Sequence, residues 1–180
     1  MKLNLFTPAL ILFGLLGSVF SAQPSQAQSR FSCNTNYLST VVNTERGAIP
    51  LIRWTDRSFP PPFTPEQRCE IVSGRFRNFD ANGTLKYIKA DRINNLPVLC
   101  VAAYKGGSCL PNGLLVTFKP GTDANAALIK ILDRRVWAAG DPIQLCSSNC
   151  TSDSERVISQ VNGENYVDME LFLNWTENEN

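Results

Sequence analysis

Six cysteines, a thin scatter of carboxylates and lysines, and no histidine set what chemistry this chain can perform. Without imidazole there is no Ser-His-Asp triad, no Cys-His nucleophile pair and no His-ligated zinc. The commonest general base near neutral pH is missing as well. What remains open is Ser-Lys, paired-carboxylate or thiol-disulfide chemistry. Lys86 and Lys89 flank a predicted strand, yet no serine stands in a recognisable relation to either. Asp80, Asp91, Asp133 and Asp141 fall near turns and helix ends, where capping and solvation account for them. Gly106-Gly107 lacks the glycine spacing and the Lys-Ser/Thr of a phosphate loop, and reads as a turn. No cofactor and no metal site is expected.

Cys33, Cys69, Cys100, Cys109, Cys146 and Cys150 contain no C-x-x-C pair, and their even number favours three disulfides over a thiolate metal site. Cys100–Cys109 would close a short loop across a hairpin. Cys69, on the buried stripe of a helix, would meet Cys33 on a first strand, leaving Cys146–Cys150. That last pair is the one candidate for redox activity, but its spacing and the absence of a neighbouring cation favour a staple.

The elements that would position these residues begin after a leader. Met1-Lys2 is followed by a nearly unbroken apolar run, Leu5–Phe20, and then by Ser25-Gln26-Ala27. The run is short for a hydrocarbon core of about 30 Å, and Pro8 and Gly14 interrupt it. Residues 1–27 are expected to be a signal peptide cleaved after Ala27, with residues 28–180 forming a single exported domain. Removing the leader takes away Lys2 and no acid, so the 17 basic residues become 16 against 16 acidic. A neutral chain lacks the positive field that draws nucleic acid, and no nucleic-acid partner is expected.

Within the domain, Leu96–Ala103 and Leu114–Phe118 are apolar runs of strand length flanking a Gly- and Pro-punctuated connection. They predict a central hairpin. Thr84–Ile93 alternates as a strand leading into it through Asn94-Asn95, and Phe31–Cys33 and Ile49–Trp54 are further strand candidates. Pro50 restricts the latter to an edge or a strand start.

Thr64 followed by Pro65 and Gln67 opens a helix as N-cap, first residue and capping box. Its buried stripe is Cys69, Val72, Phe76 and Phe79, widened by Ile71, with Arg68, Glu70, Arg75 and Arg77 on the opposite face. A second helix, Ala124–Ala139, is capped by Thr122 or Asp123 and stopped by Gly140. Around Asn162-Gly163 a C-terminal hairpin is expected, with Leu171–Leu173 either prolonging a strand or starting a helix. The class is α+β: an antiparallel sheet of about four to five strands covered by two main helices and stapled by disulfides.

Several segments together resemble a cyanobacterial family known as circadian oscillating proteins. They are Phe31-Ser32-Cys33, Ile49–Trp54, Thr64–Cys69, Asn82–Leu85, Leu96–Ala102, Gly106–Cys109 and Asn112–Leu115. The likeness covers about Phe31 to Gly140 and leaves Cys146 and Cys150 outside it. It implies an exported or peripheral membrane protein and supplies no catalytic residues.

One stretch stands out as a recognition surface: Trp54, Phe59, Pro60–Pro62 and Phe63 combine aromatic anchors with an extended proline segment. The same residues serve equally as a hydrophobic staple and a core edge. Two function classes therefore stand. One is a non-catalytic module at the cell envelope that contacts an envelope protein, a glycan or a membrane surface, with Trp54, Phe59 and Phe63 as contacts. The other is an extracytoplasmic enzyme with a His-free site, hydrolase or redox.

Overall fold

The computed structural model describes residues 29–45, 47–138 and 157–178. The leader and the Cys146–Cys150 pair lie outside these residues. A first sheet is an antiparallel meander of β1 (Phe31–Asn34), β2 (Ser39–Thr44) and β3 (Gly47–Arg53). Pro50 sits on β3, at the sheet's edge as expected. β2 arises from a stretch whose Ser, Asn and Thr content hides it in sequence. Ser39 and Thr40 are buried, and their hydroxyls are bonded: Thr40 Oγ1 accepts from Trp54 Nε1 at 3.1 Å and from Ser73 Oγ at 3.0 Å. Satisfied hydroxyls let a polar sequence occupy a core strand.

Helix α1 (Pro65–Ala81) begins as its cap signal requires, the Gln67 N–H donating to Thr64 Oγ1 at 3.3 Å. It lies on the first sheet, where Phe76 stacks on Phe31 with ring centroids 5.0 Å apart and Cys69 bonds to Cys33. The stripe is narrower than expected, because Ile71 is 40% exposed.

The second sheet holds β4 (Tyr87–Ile93), β5 (Leu96–Ala102), β6 (Cys109–Thr117), β7 (Ile158–Val161) and β8 (Glu164–Asp168) in the antiparallel order β6-β5-β4-β8-β7. Both tight turns have two residues with positive φ, Asn94-Asn95 (50° and 65°) and Asn162-Gly163 (52° and 82°), the geometry that matches strand twist. β5 is buried along nearly its whole length, which explains its unbroken apolar run. β6 starts five residues earlier than its apolar run. Pro111-Asn112-Gly113, expected in the connection, is instead an irregular stretch of the strand where the register shifts. Only glycine fits at 113, since a Cβ there would lie 2.8 Å from the Leu110 carbonyl oxygen and 2.9 Å from that of Val101.

Helix α2 (Ala124–Ala138) is capped by Asp123, whose Oδ1 accepts from the Ala126 N–H at 3.0 Å, and it packs Leu128 into the core. The C-terminal ambiguity resolves as helix α3 (Met169–Asn178), capped by Asp168 Oδ1 on the N–H groups of Glu170 (3.0 Å) and Leu171 (3.1 Å). One apolar core joins the sheets and helices, with Phe31, Val42, Leu99, Leu128, Val167 and Met169 among its members. The α+β class and the five-stranded antiparallel sheet are as the sequence indicated, with a second, three-stranded sheet besides. Disulfides join Cys33 to Cys69 and Cys100 to Cys109. Among the described residues no helix is long and apolar enough to cross a membrane.

Candidate functional site

Where α1 passes β6, the end of the first sheet, the proline segment and the loop that leads out of β6 enclose an open cleft of about 530 Å³. Trp54, Phe59, Pro60, Phe63, Ile71, Leu96, Val116 and Phe118 supply its apolar walls. The sequence brings these together by simple means. β3 ends at Arg53, and the chain then runs without regular structure into a turn at Pro60–Phe63, where the Phe63 N–H donates to the Pro60 carbonyl at 3.0 Å. The proline segment is thus not extended throughout as its sequence indicates; Thr64 then starts the helix. Phe59 and Phe63 are thereby set beside α1; the Pro61–Pro62 peptide is cis. Phe63 is 47% exposed, and Trp54 forms the floor at 4% exposure. Trp54 is thus a core residue with one face in the cleft, and its place as an outward anchor falls to Phe59 and Phe63.

Three cations line the same cleft: Arg68, Arg75 and Lys119. The Arg68 guanidinium lies between two rings, 4.0 Å from the Phe59 centroid and 4.8 Å from that of Trp54, and its Nη1 donates to the Asp56 carbonyl at 3.1 Å. Arg75 Nη1 donates to the Leu115 carbonyl at 2.8 Å. Lys119 approaches the Phe59 ring at 5.3 Å, pairs with Asp56 at 2.7 Å and donates to Ser58 Oγ. The lysine and the Ser58 hydroxyl and N–H hold the Asp56 carboxyl far below the usual carboxylate range. Burial pushes the pKa of Arg68 and Arg75 down, although a guanidinium stays charged at any ordinary pH.

Helical spacing alone puts both arginines on the face opposite the buried stripe, and the structure corrects this. The same spacing also carries the correction. Arg68, Ile71, Val72 and Arg75 run i, i+3, i+4, i+7, one stripe beside the core stripe, and it turns toward Phe59 and Val116.

A second cluster escaped sequence reading altogether. Lys89 on β4 is 4% exposed, and its Nζ reaches Glu164 Oε2 at 2.8 Å and Asp91 Oδ2 at 3.3 Å. The Tyr166 hydroxyl donates to the Gly107 carbonyl (3.1 Å) or Glu164 (3.0 Å). Burial works against the Lys89 ammonium, but the bonds to Glu164 and Tyr166 outweigh it and its pKa rises. Lys89 correspondingly lowers that of Glu164. These partners come from β8, paired through the register Lys89↔Tyr166, a long-range match that no local pattern announces.

Asp91 Oδ2 also lies 3.3 Å from Cys109 Sγ. Asp91, Cys100 and Cys109 bring ligand-type atoms within 4.8 Å of one another, but both sulfurs are tied up in the disulfide. A carboxylate against the sulfur disfavours a thiolate there, so this geometry suits a staple better than a nucleophile.

The chain matches the family model of circadian oscillating protein COP23 over residues 30–174, a span that runs past residue 140 and takes in Cys146 and Cys150. No curated protein and no solved structure matches it. With the match covering most of its length, and with the stapled α+β fold described above, this chain belongs to the COP23 circadian oscillating protein family.

Proposed function

We propose that the protein is a non-catalytic binding module of the cell envelope, and that the cleft between α1 and β6 is its contact site. One observation carries the reading: the Arg68 guanidinium held between the Trp54 and Phe59 rings at the floor of an open apolar cleft. A side chain ordered on both faces before any ligand arrives lowers the ordering cost of binding. Aromatic and arginine residues in such a setting are the types that dominate recognition energies. Volumes of roughly 300–1,000 Å³ are usual for binding clefts. An extracytoplasmic address is supported by two disulfides, which persist in oxidising compartments, and by the leader expected at residues 1–27.

The test is retention of the full chain on the envelope fraction. Phe59→Ala combined with Phe63→Ala removes two rings of the cleft that are not buried and leaves Trp54 and the core in place. Retention is expected to fall at least tenfold while both disulfides and the circular dichroism spectrum stay unchanged. A correctly folded double variant retained as fully as the parent chain would show the contact surface to be elsewhere.

A further inference from the structure

We infer that the cleft takes a single-chain fatty acid, with the carboxylate on Arg68 and Arg75 and the acyl chain along Phe59, Phe63 and Phe118. This rests on the cleft being the contact site, and it names what occupies it. Three observations lead there.

First, Arg68 and Arg75 are part-buried cations with no carboxylate within ion-pair distance among the described residues; their bonds go to the carbonyls of Asp56 and Leu115. Burying a charge is costly unless it is paired, so two such guanidiniums in an apolar setting ask for an anion. Their forked N–H groups suit a carboxylate in two-point contact. Second, no acidic side chain is among the described residues lining the cleft, and Asp56 beside it is engaged by Lys119 and Ser58. The field presented to a ligand is therefore positive.

Third, much of the wall is hydrocarbon: Phe59, Phe63, Val116 and Phe118 have no polar side-chain atoms, and the cations and the Ser58 and Thr117 hydroxyls supply the polar side-chain groups among the described lining residues. An extended peptide could still bond along the outer edge of β6, the last strand of its sheet, which makes a peptide the competing occupant in the test. A hydrocarbon chain loses no hydrogen bond on leaving water, and each methylene buried favours binding. Charge and wall chemistry together favour an anionic single-chain amphiphile over a peptide.

The experiment is calorimetric titration of the full folded chain with sodium decanoate, with decanol, with an acidic Phe-containing peptide and with phosphatidylglycerol vesicles as parallel arms. Saturable binding of one decanoate is expected, with decanol at least tenfold weaker. Arg75→Gln and, independently, Arg68→Gln should each weaken decanoate about tenfold or more. The two variants are paired so that one misfolding, seen by circular dichroism, leaves the other to decide. Equal affinity for decanoate and decanol, or undiminished decanoate binding in a folded arginine variant, would overturn the assignment. So would binding of the peptide or the vesicles with no response to decanoate. If the Phe59/Phe63 variant loses envelope retention while the parent chain ignores decanoate, the ligand class falls and the contact site stands. If decanoate binds with the arginine dependence but retention is unaffected, the ligand assignment stands and the envelope role falls.

Discussion

Trp54→Ala is expected to lower the free energy of unfolding by about 3–5 kcal/mol, the range for deleting a large buried aromatic. The indole is almost wholly buried and belongs to the core cluster. Its Nε1 donates to Thr40 Oγ1, a hydroxyl with no solvent access, so truncation leaves a cavity and removes a partner from a buried polar group. Arg68 would also lose one of its two rings. Against total stabilities of about 5–15 kcal/mol for domains, such a loss brings the variant close to unfolding. Urea denaturation gives the measurement. Trp54→Phe, which keeps most of the apolar volume and loses the donor, should fall between the parent and the alanine variant. A cost under about 1 kcal/mol for Trp54→Ala would mean that the ring does not seat the core as described.

Removing Cys33 and Cys69 together, both as alanine, should cost about 4 kcal/mol on the chain-entropy account of disulfides. The bond joins residues 36 apart in sequence and ties β1 to the second turn of α1, whereas Cys100–Cys109 spans only 9 and staples two strands that already pair. The shorter loop contributes less, below about 3 kcal/mol on the same account. Denaturant midpoints of the two double variants should therefore rank with Cys33/Cys69 the lower. Equal midpoints, or the reverse order, would place the main constraint at the hairpin.

Those two pairings were legible in sequence because each rested on a strong local signal. Thr64-Pro65-Glu66-Gln67 starts a helix that puts Cys69 on the buried face, and the Leu96–Ala103 run puts Cys100 inside a strand. The α+β class followed from the same signals. β2 was not legible, because Ser39 and Thr40 read as loop until Trp54 and Ser73 are known to bond Thr40. β6 was read short because Pro111 and Gly113 mark turns in most contexts, and here they mark an irregular strand held against Val101 and Leu110.

The cleft was half legible. Phe59 and Phe63 stand out as aromatics beside prolines, but helical spacing puts the arginines that complete the site opposite the buried stripe. Helical spacing gives the angle of a side chain around its axis, not what a distant strand brings to meet it. Val116, Phe118 and Lys119 arrive from about forty residues further along, as does the strand edge that Arg75 caps. For the same reason the Lys89–Glu164 pair, 75 residues apart, left no trace in composition or spacing.

The most direct measurement of the envelope-contact account is site-specific photo-crosslinking of the full chain in the native envelope, with the reactive side chain at position 63 or at position 104. Both natural residues are aromatic and exposed, Phe63 at the cleft and Tyr104 beyond the far end of β5. Leu96, at the near end of that seven-residue strand, lines the cleft, and at about 3.3 Å per residue the strand runs about 20 Å from there to the end that Tyr104 follows. A discrete adduct from position 63 and none from position 104 is the expected result. Adducts of equal yield from both positions, or from position 104 alone, would contradict the cleft as the site of contact.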